Sequence, residues 1–104
     1  MVVRAPSQFS AATLAEAMQG ALDYEIAGEK ASSLGRAGDA VAQSLSRLRA
    51  FDGEAFDRAA LLKSAADAVW AYFIQRELCG LRRHDDAIRE YRIPREVLIR
   101  LGAR

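Results

Sequence analysis

Cys79 and His84 are the residues that could do nucleophilic chemistry, since a thiol becomes reactive when a base lies within hydrogen-bond reach. They are the only cysteine and the only histidine of the chain, and Asp85 adjoins the histidine. Gly80 lies between them and is the kind of residue that ends a helix. Nothing in the spacing turns the two side chains toward each other. A buried apolar thiol and a surface or capping histidine are the expected roles.

Glu25 and Glu29 stand four apart, on one face of a helix, and could offer two carboxylates to a metal. Helical di-metal sites add a Glu-x-x-His element from other helices, and no such element occurs here. The expected partners of these acids are Lys30, Arg36 or an arginine of another helix. No lysine-bearing phosphate loop, zinc-type Cys/His spacing or nucleophile elbow is present. No catalytic, cofactor-binding or metal residue is therefore expected, and no small-molecule ligand.

The most developed functional pattern is a helix-turn-helix outline in residues 84–101. Ala87, Ile88, Tyr91, Ile93, Leu98 and Leu101 fall close to the apolar positions that hold such a pair together. Arg95 and Arg100 on the second helix could then contact nucleic acid or another partner. Two features weigh against DNA. Arg92 fills the turn position usually given to glycine, and residues 75–104 carry eight arginines against five acids, only a mild basic excess. Phosphate neutralisation supplies most non-specific affinity for DNA, so a weakly basic surface is a handicap. Two short helices closing one end of a bundle are the plainer reading.

The elements that must position these residues all read as helices. A first helix can start at Ser10, with Phe9 and Leu14 placed as a hydrophobic staple, or at Thr13 with Glu16 completing a capping box. Leu14, Met18, Leu22 and Ile26 recur at helical spacing, and the pattern persists to about Leu34. Gly20 and Gly28 mark a close helix approach or a bend. Leu34-Gly35-Arg36-Ala37-Gly38 reads as a turn in preference to a kink at Gly35 within one interrupted helix, because a helix of some 40 residues could not fold back to bury its own stripe. Asp39 then caps a helix through Val41, Leu45 and Leu48, ending near Phe51.

Asp52 is the expected cap of the next helix, with Phe51 and Phe56 in the staple positions and Glu54 in the first turn. It runs through Leu62, Ala66, Val69, Trp70 and Phe73 to Glu77, and Gly80 stops it. The apolar surface broadens around residues 68–74, so this segment is expected to be buried on all sides. Asp85 and Asp86 open a short helix, Pro94 starts another, and Gly102 ends it. Residues 1–9 read as a leader.

Composition agrees with one helical domain over residues 1–104: hydrophobic residues make up 51%, charged residues 28%, and only two prolines occur. The formal net charge of +1 gives no global reason to expect nucleic acid or an anionic membrane. A single cysteine excludes an intrachain disulfide and suits a reducing, cytoplasmic setting. The longest apolar run, residues 68–74, is far short of the roughly 20 residues a membrane span requires.

The stretch from Trp70 to Leu81 (WAYFIQRELCGL), with Tyr91 to Leu98 (YRIPREVL) and the closing Leu101-Gly102, resembles a family of uncharacterised bacterial proteins of about this length. Tyr24-Glu25-Ile26 and the segment from Leu34 to Gly38 are similar to it as well. The resemblance implies a small bacterial helical protein and brings no activity and no site residue.

The expected fold is all-α, a small helical bundle with two long helices, a middle helix and a short C-terminal helical pair. The expected function is non-enzymatic interaction or structure through helix-mediated self-association, with a homodimer as the favoured state. A small DNA-binding regulator using residues 84–101 is the alternative.

Overall fold

Ser10 opens the first helix: its hydroxyl accepts a 3.1 Å hydrogen bond from the Thr13 amide, satisfying one of the free amides of the first turn. The computed structural model describes residues 10–101. The leader over residues 1–9, the Phe9 half of the staple and the stop at Gly102 lie outside that range. Four helices form, α1 (Ala11–Ala50), α2 (Ala55–Leu78), α3 (Asp85–Tyr91) and α4 (Arg95–Leu98). The fold is all-α, with two long helices and a short C-terminal pair.

The turn expected at Gly35–Gly38 does not form. Helix α1 passes straight through it for 40 residues, and the stretch expected to be a separate helix from Asp39 continues the same rod. Each interior glycine costs a helix about 1 kcal/mol. Continuity offsets this by aligning Leu34, Ala37, Val41, Leu45 and Leu48 along one face against the core. The difficulty of a long helix burying its own stripe is met differently. Helix α2 folds back antiparallel on the C-terminal half of α1, and every residue from Ser10 to Ser32 stays exposed. The molecule measures 79 × 23 × 21 Å as a result.

Gly38 is the glycine that a close approach requires. A Cβ there would stand 2.6 Å from the Tyr91 hydroxyl and 3.5 Å from the Tyr72 ring, whereas at Gly20, Gly28 and Gly35 it would meet nothing within 4 Å.

Helix α2 starts later than expected, with Glu54 rather than Asp52 at the cap position and no side-chain capping bond. Phe56 is 87% exposed, so it forms no staple with Phe51. Nor is α2 buried all round. Leu62, Ala65, Ala66, Val69, Tyr72, Phe73 and Arg76 face inward, while Trp70, Ile74 and Leu78 are exposed. Two helices and a short pair supply partners for only one side of α2. Its end is as expected: Gly80 takes φ +88, and the Leu81 and Gly80 amides return to the carbonyls of Arg76 and Glu77. This double bond pattern is a Schellman motif, and it requires a left-handed residue at the glycine.

Candidate interaction site

The C-terminal segment is held to the two long helices by a buried cation that the sequence reading passed over. Arg76 is 7% exposed. Its Nε donates to His84 Nδ1 at 3.2 Å, and its Nη2 donates to the Arg83 carbonyl at 2.9 Å and to Asp86 Oδ1 at 3.0 Å. The guanidinium also lies 5.7 Å from the centre of the Tyr72 ring. The signal was available, since Arg76 stands three and four residues after Phe73 and Tyr72 on the inward face of α2. An arginine at a core position must have its donors met.

His84 is consumed by the same cluster. Its ring stacks on Phe73 with centroids 4.1 Å apart and planes 3° from parallel. Because Nδ1 accepts from Arg76, the ring proton belongs on Nε2, which lies 3.9 Å from Glu77 Oε2. Cys79 is half-buried on the other side of the turn, where its Sγ donates to the Lys30 carbonyl at 3.9 Å. No hydrogen bond joins the thiol and the imidazole.

Glu25 and Glu29 both lie on the exposed part of α1. Glu29 pairs with Arg36 at 3.3 Å, one of the partners expected for it, and both side chains are largely exposed. Among the described residues no group of three or more His, Cys, Asp or Glu side chains converges as a metal site would.

The helix-turn-helix outline becomes α3, a turn and α4. Ala87, Ile93 and Val97 are buried and hold the pair to the core. Arg92 takes the left-handed conformation, φ 53, that glycine usually supplies. Arg49 of α1 braces that turn, donating through Nη2 to the carbonyls of Tyr91 and Arg92 at 3.0 and 2.6 Å. Helix α4 is a single turn of four residues. Arg95 and Arg100 are both exposed on it or just after it. Glu96 lies between them in sequence, bound through both oxygens by Arg58 of α2 at 3.0 and 2.5 Å. The Arg58 hydrogen bond comes first among the causes that hold its carboxyl below the usual glutamate range, and Arg100 adds to it.

An open cleft of about 560 Å³ runs beside this cluster, rimmed by Arg82, Arg83 and Arg89 and by Asp85 and Asp86. Its charges are mixed, and its innermost cation, Arg76, is already engaged. An apolar surface lies on the arm of α1 that runs on beyond the end of α2. Leu14, Met18, Leu22 and Ile26 are 52–60% exposed along one stripe of α1, on the part of that helix that α2 does not reach. Among the described residues no helix is long and apolar enough to cross a membrane.

A model of a family of unknown function, DUF6665, matches the sequence over residues 1–104. The chain belongs to DUF6665. No curated protein and no solved structure matches it. The DUF6665 assignment agrees with the resemblance seen in the sequence and assigns no activity to any residue.

Proposed function

We propose that this protein is a non-enzymatic interaction protein that works by self-association through the N-terminal half of α1. The observation that carries this reading is the stripe of Leu14, Met18, Leu22 and Ile26 on the stretch of α1 from Ala11 to Glu29, which stays exposed beyond the end of α2. Isolated helices shorter than about 12–15 residues are marginal in water, and longer ones still draw most of their stability from packing an apolar face. Among the described residues nothing supplies such packing to this arm.

The magnitudes allow a weak dimer. Full burial of an aliphatic side chain stabilises by about 1.5–3 kcal/mol, and these four are half-exposed. Eight of them in a pair contribute on the order of 8 kcal/mol, within the roughly 4–15 kcal/mol range of the cost of association. At the low end of that cost about 4 kcal/mol remains, a weak dimer in roughly the millimolar range, and a cytoplasmic setting suits the free thiol of Cys79. Light scattering and sedimentation across a hundredfold concentration range test the reading. The expected result is a dimer that Leu22→Glu converts to monomer; a wild-type monomer throughout would sink it.

A DNA-binding regulator is the second reading, favoured by the exposed Arg95 and Arg100 and by the left-handed turn at Arg92. The single-turn α4 and the acid between the two arginines weigh against it. Retardation of mixed-sequence DNA at low salt, weakened by Arg95→Ala and by Arg100→Ala, is its expected outcome. Absence of any retardation ends it.

A further inference from the structure

Self-association alone leaves the direction and register of the pairing open, and two independent features of the arm bear on both. One is length. Helix α1 is free of α2 from Ala11 to about Glu29, because the end of α2 meets α1 at Lys30, where Cys79 Sγ reaches the carbonyl. Two antiparallel arms overlap over this whole free length only when their midpoints coincide, at position 20. A longer overlap drives the first turn of one α1 into the last turn of the other copy's α2, and a shorter one leaves apolar side chains uncovered.

The other feature is the residue pattern on the exposed face. At 100° per residue Ala11, Leu14, Ala15, Met18 and Leu22 share a face with Glu25, Ile26 and Glu29. Reversal about position 20 maps this face onto itself, placing large residues against large and acids against alanines. Resting on the self-association reading above, we propose that a second copy of this chain pairs with α1 antiparallel, about a two-fold axis level with position 20. Leu14 then packs on Ile26 of the second copy, and Met18 on its Leu22. Gly20, two residues from Met18 and Leu22, lies on the far face of the helix and takes no part.

Charge separates this arrangement from the parallel one. In the antiparallel pair Glu25 faces Ala15 of the second copy and Glu29 faces its Ala11. The Glu29 carboxylate thereby comes beside a first turn that carries no acid of its own, where the helix dipole favours negative charge, and Glu25 lies one turn further along against a small neutral residue. A parallel pair in register sets Glu25 against Glu25 and Glu29 against Glu29, like charges in contact. The antiparallel pair is isologous and closes as a dimer, with the two α2 helices at opposite ends.

Disulfide pairing in a Cys79→Ser background tests the register. Leu14→Cys and Ile26→Cys are exposed positions outside the core, so the fold is undisturbed. The two variants are mixed and oxidised, each carrying a different mass tag. The expected product is the mixed dimer, with little self-paired dimer of either variant, because the antiparallel pair holds two Leu14 positions about 18 Å apart along the axis. Predominant self-pairing overturns the register. Ala15→Lys is the second readout: beside Glu25 of the second copy it tightens the dimer about two- to fivefold per pair at low salt, whereas a parallel pair is weakened by it. A wild-type monomer in light scattering ends both readings; a dimer with self-paired cysteines ends this one alone.

Discussion

Tyr91 sets its hydroxyl 2.6 Å from where a Cβ on Gly38 would stand. The contact joins the end of α3 to the middle of α1 and is backed by an edge-on packing of the Tyr91 and Tyr72 rings at 5.4 Å. Glycine is therefore required at position 38 by a neighbour rather than by backbone conformation. Gly38→Ala is expected to destabilise by about 1–2 kcal/mol, the overpacking cost exceeding the gain in helix propensity. Gly35→Ala, where an added Cβ meets nothing, is expected to stabilise by about 0.5–1 kcal/mol. Urea denaturation checks both. In a Tyr91→Phe background, with the hydroxyl gone, the cost of Gly38→Ala should largely vanish.

Arg76 holds three parts of the C-terminal segment at once, through Arg83, His84 and Asp86. Removing a buried, hydrogen-bonded cation leaves acceptors without donors and a gap beside Tyr72. Arg76→Ala is expected to cost about 2–4 kcal/mol. His84→Ala removes one acceptor and the stack on Phe73, and a smaller loss of about 1–2 kcal/mol is expected. Thermal unfolding should rank them in that order; equal losses would show that the arginine acts only through the histidine.

The helical class and the C-terminal pair were legible because their signals are local. Ser10 with Thr13, Gly80 after α2, the paired acids of α3 and Pro94 before α4 each act through their own turn. The continuity of α1 was not legible in the same way. Gly35 and Gly38 look alike in the sequence, but one is solvent-facing and the other is demanded by Tyr91, more than fifty residues away. Exposure of Trp70, Ile74 and Leu78 was missed for a related reason. Apolarity around a helix shows that burial would be favourable, whereas actual burial depends on how many neighbouring elements the chain supplies. Of the candidate residues, the sequence kept Cys79 and His84 apart on the strength of Gly80, and the structure gives each its own partner. It also marked Leu14, Met18, Leu22 and Ile26 as a stripe; that none of the described residues covers them is a fact of length and topology.

Arg92 carries the only left-handed φ among the described residues other than glycine. An L-residue with a Cβ pays about 1 kcal/mol there, which the bonds from Arg49 to the flanking carbonyls help to offset. Arg92→Gly should stabilise by roughly 0.5–1 kcal/mol, since those bonds use main-chain oxygens that remain. Arg49→Ala should destabilise instead. The midpoint of urea unfolding distinguishes the two signs.

Burial first, and then the neighbouring Tyr72 hydroxyl, push the Tyr91 phenol up to about 12. In the unfolded chain a tyrosine loses its proton near 10. Between these values the unfolded chain binds fewer protons than the fold, so stability falls as pH rises through the window. A contribution fully present below pH 10 should be reduced by about 1 kcal/mol at pH 11. Tyr91→Phe should abolish that part of the slope, which denaturant midpoints at pH 9 and pH 11 would show. An unchanged slope would mean that the phenol is not held neutral by the fold.

The uncovered arm of α1 also makes a prediction about local stability. Amides in Val41–Leu48 and Leu62–Arg76 sit where the long helices pack together, and they should exchange with solvent only by unfolding of the core. Amides from Leu14 to Ile26 have no such support from the described residues, so in a monomer they should open by fraying, without loss of the core. Burial of the stripe against a second copy changes this. Exchange in the arm should slow as protein concentration rises, while exchange in the core stays constant. Leu22→Glu should restore fast exchange in the arm at every concentration and leave the core untouched. Slow exchange in the arm at the lowest concentration, unaltered by Leu22→Glu, would mean that helix propensity alone sustains these turns and that the exposed stripe needs no cover.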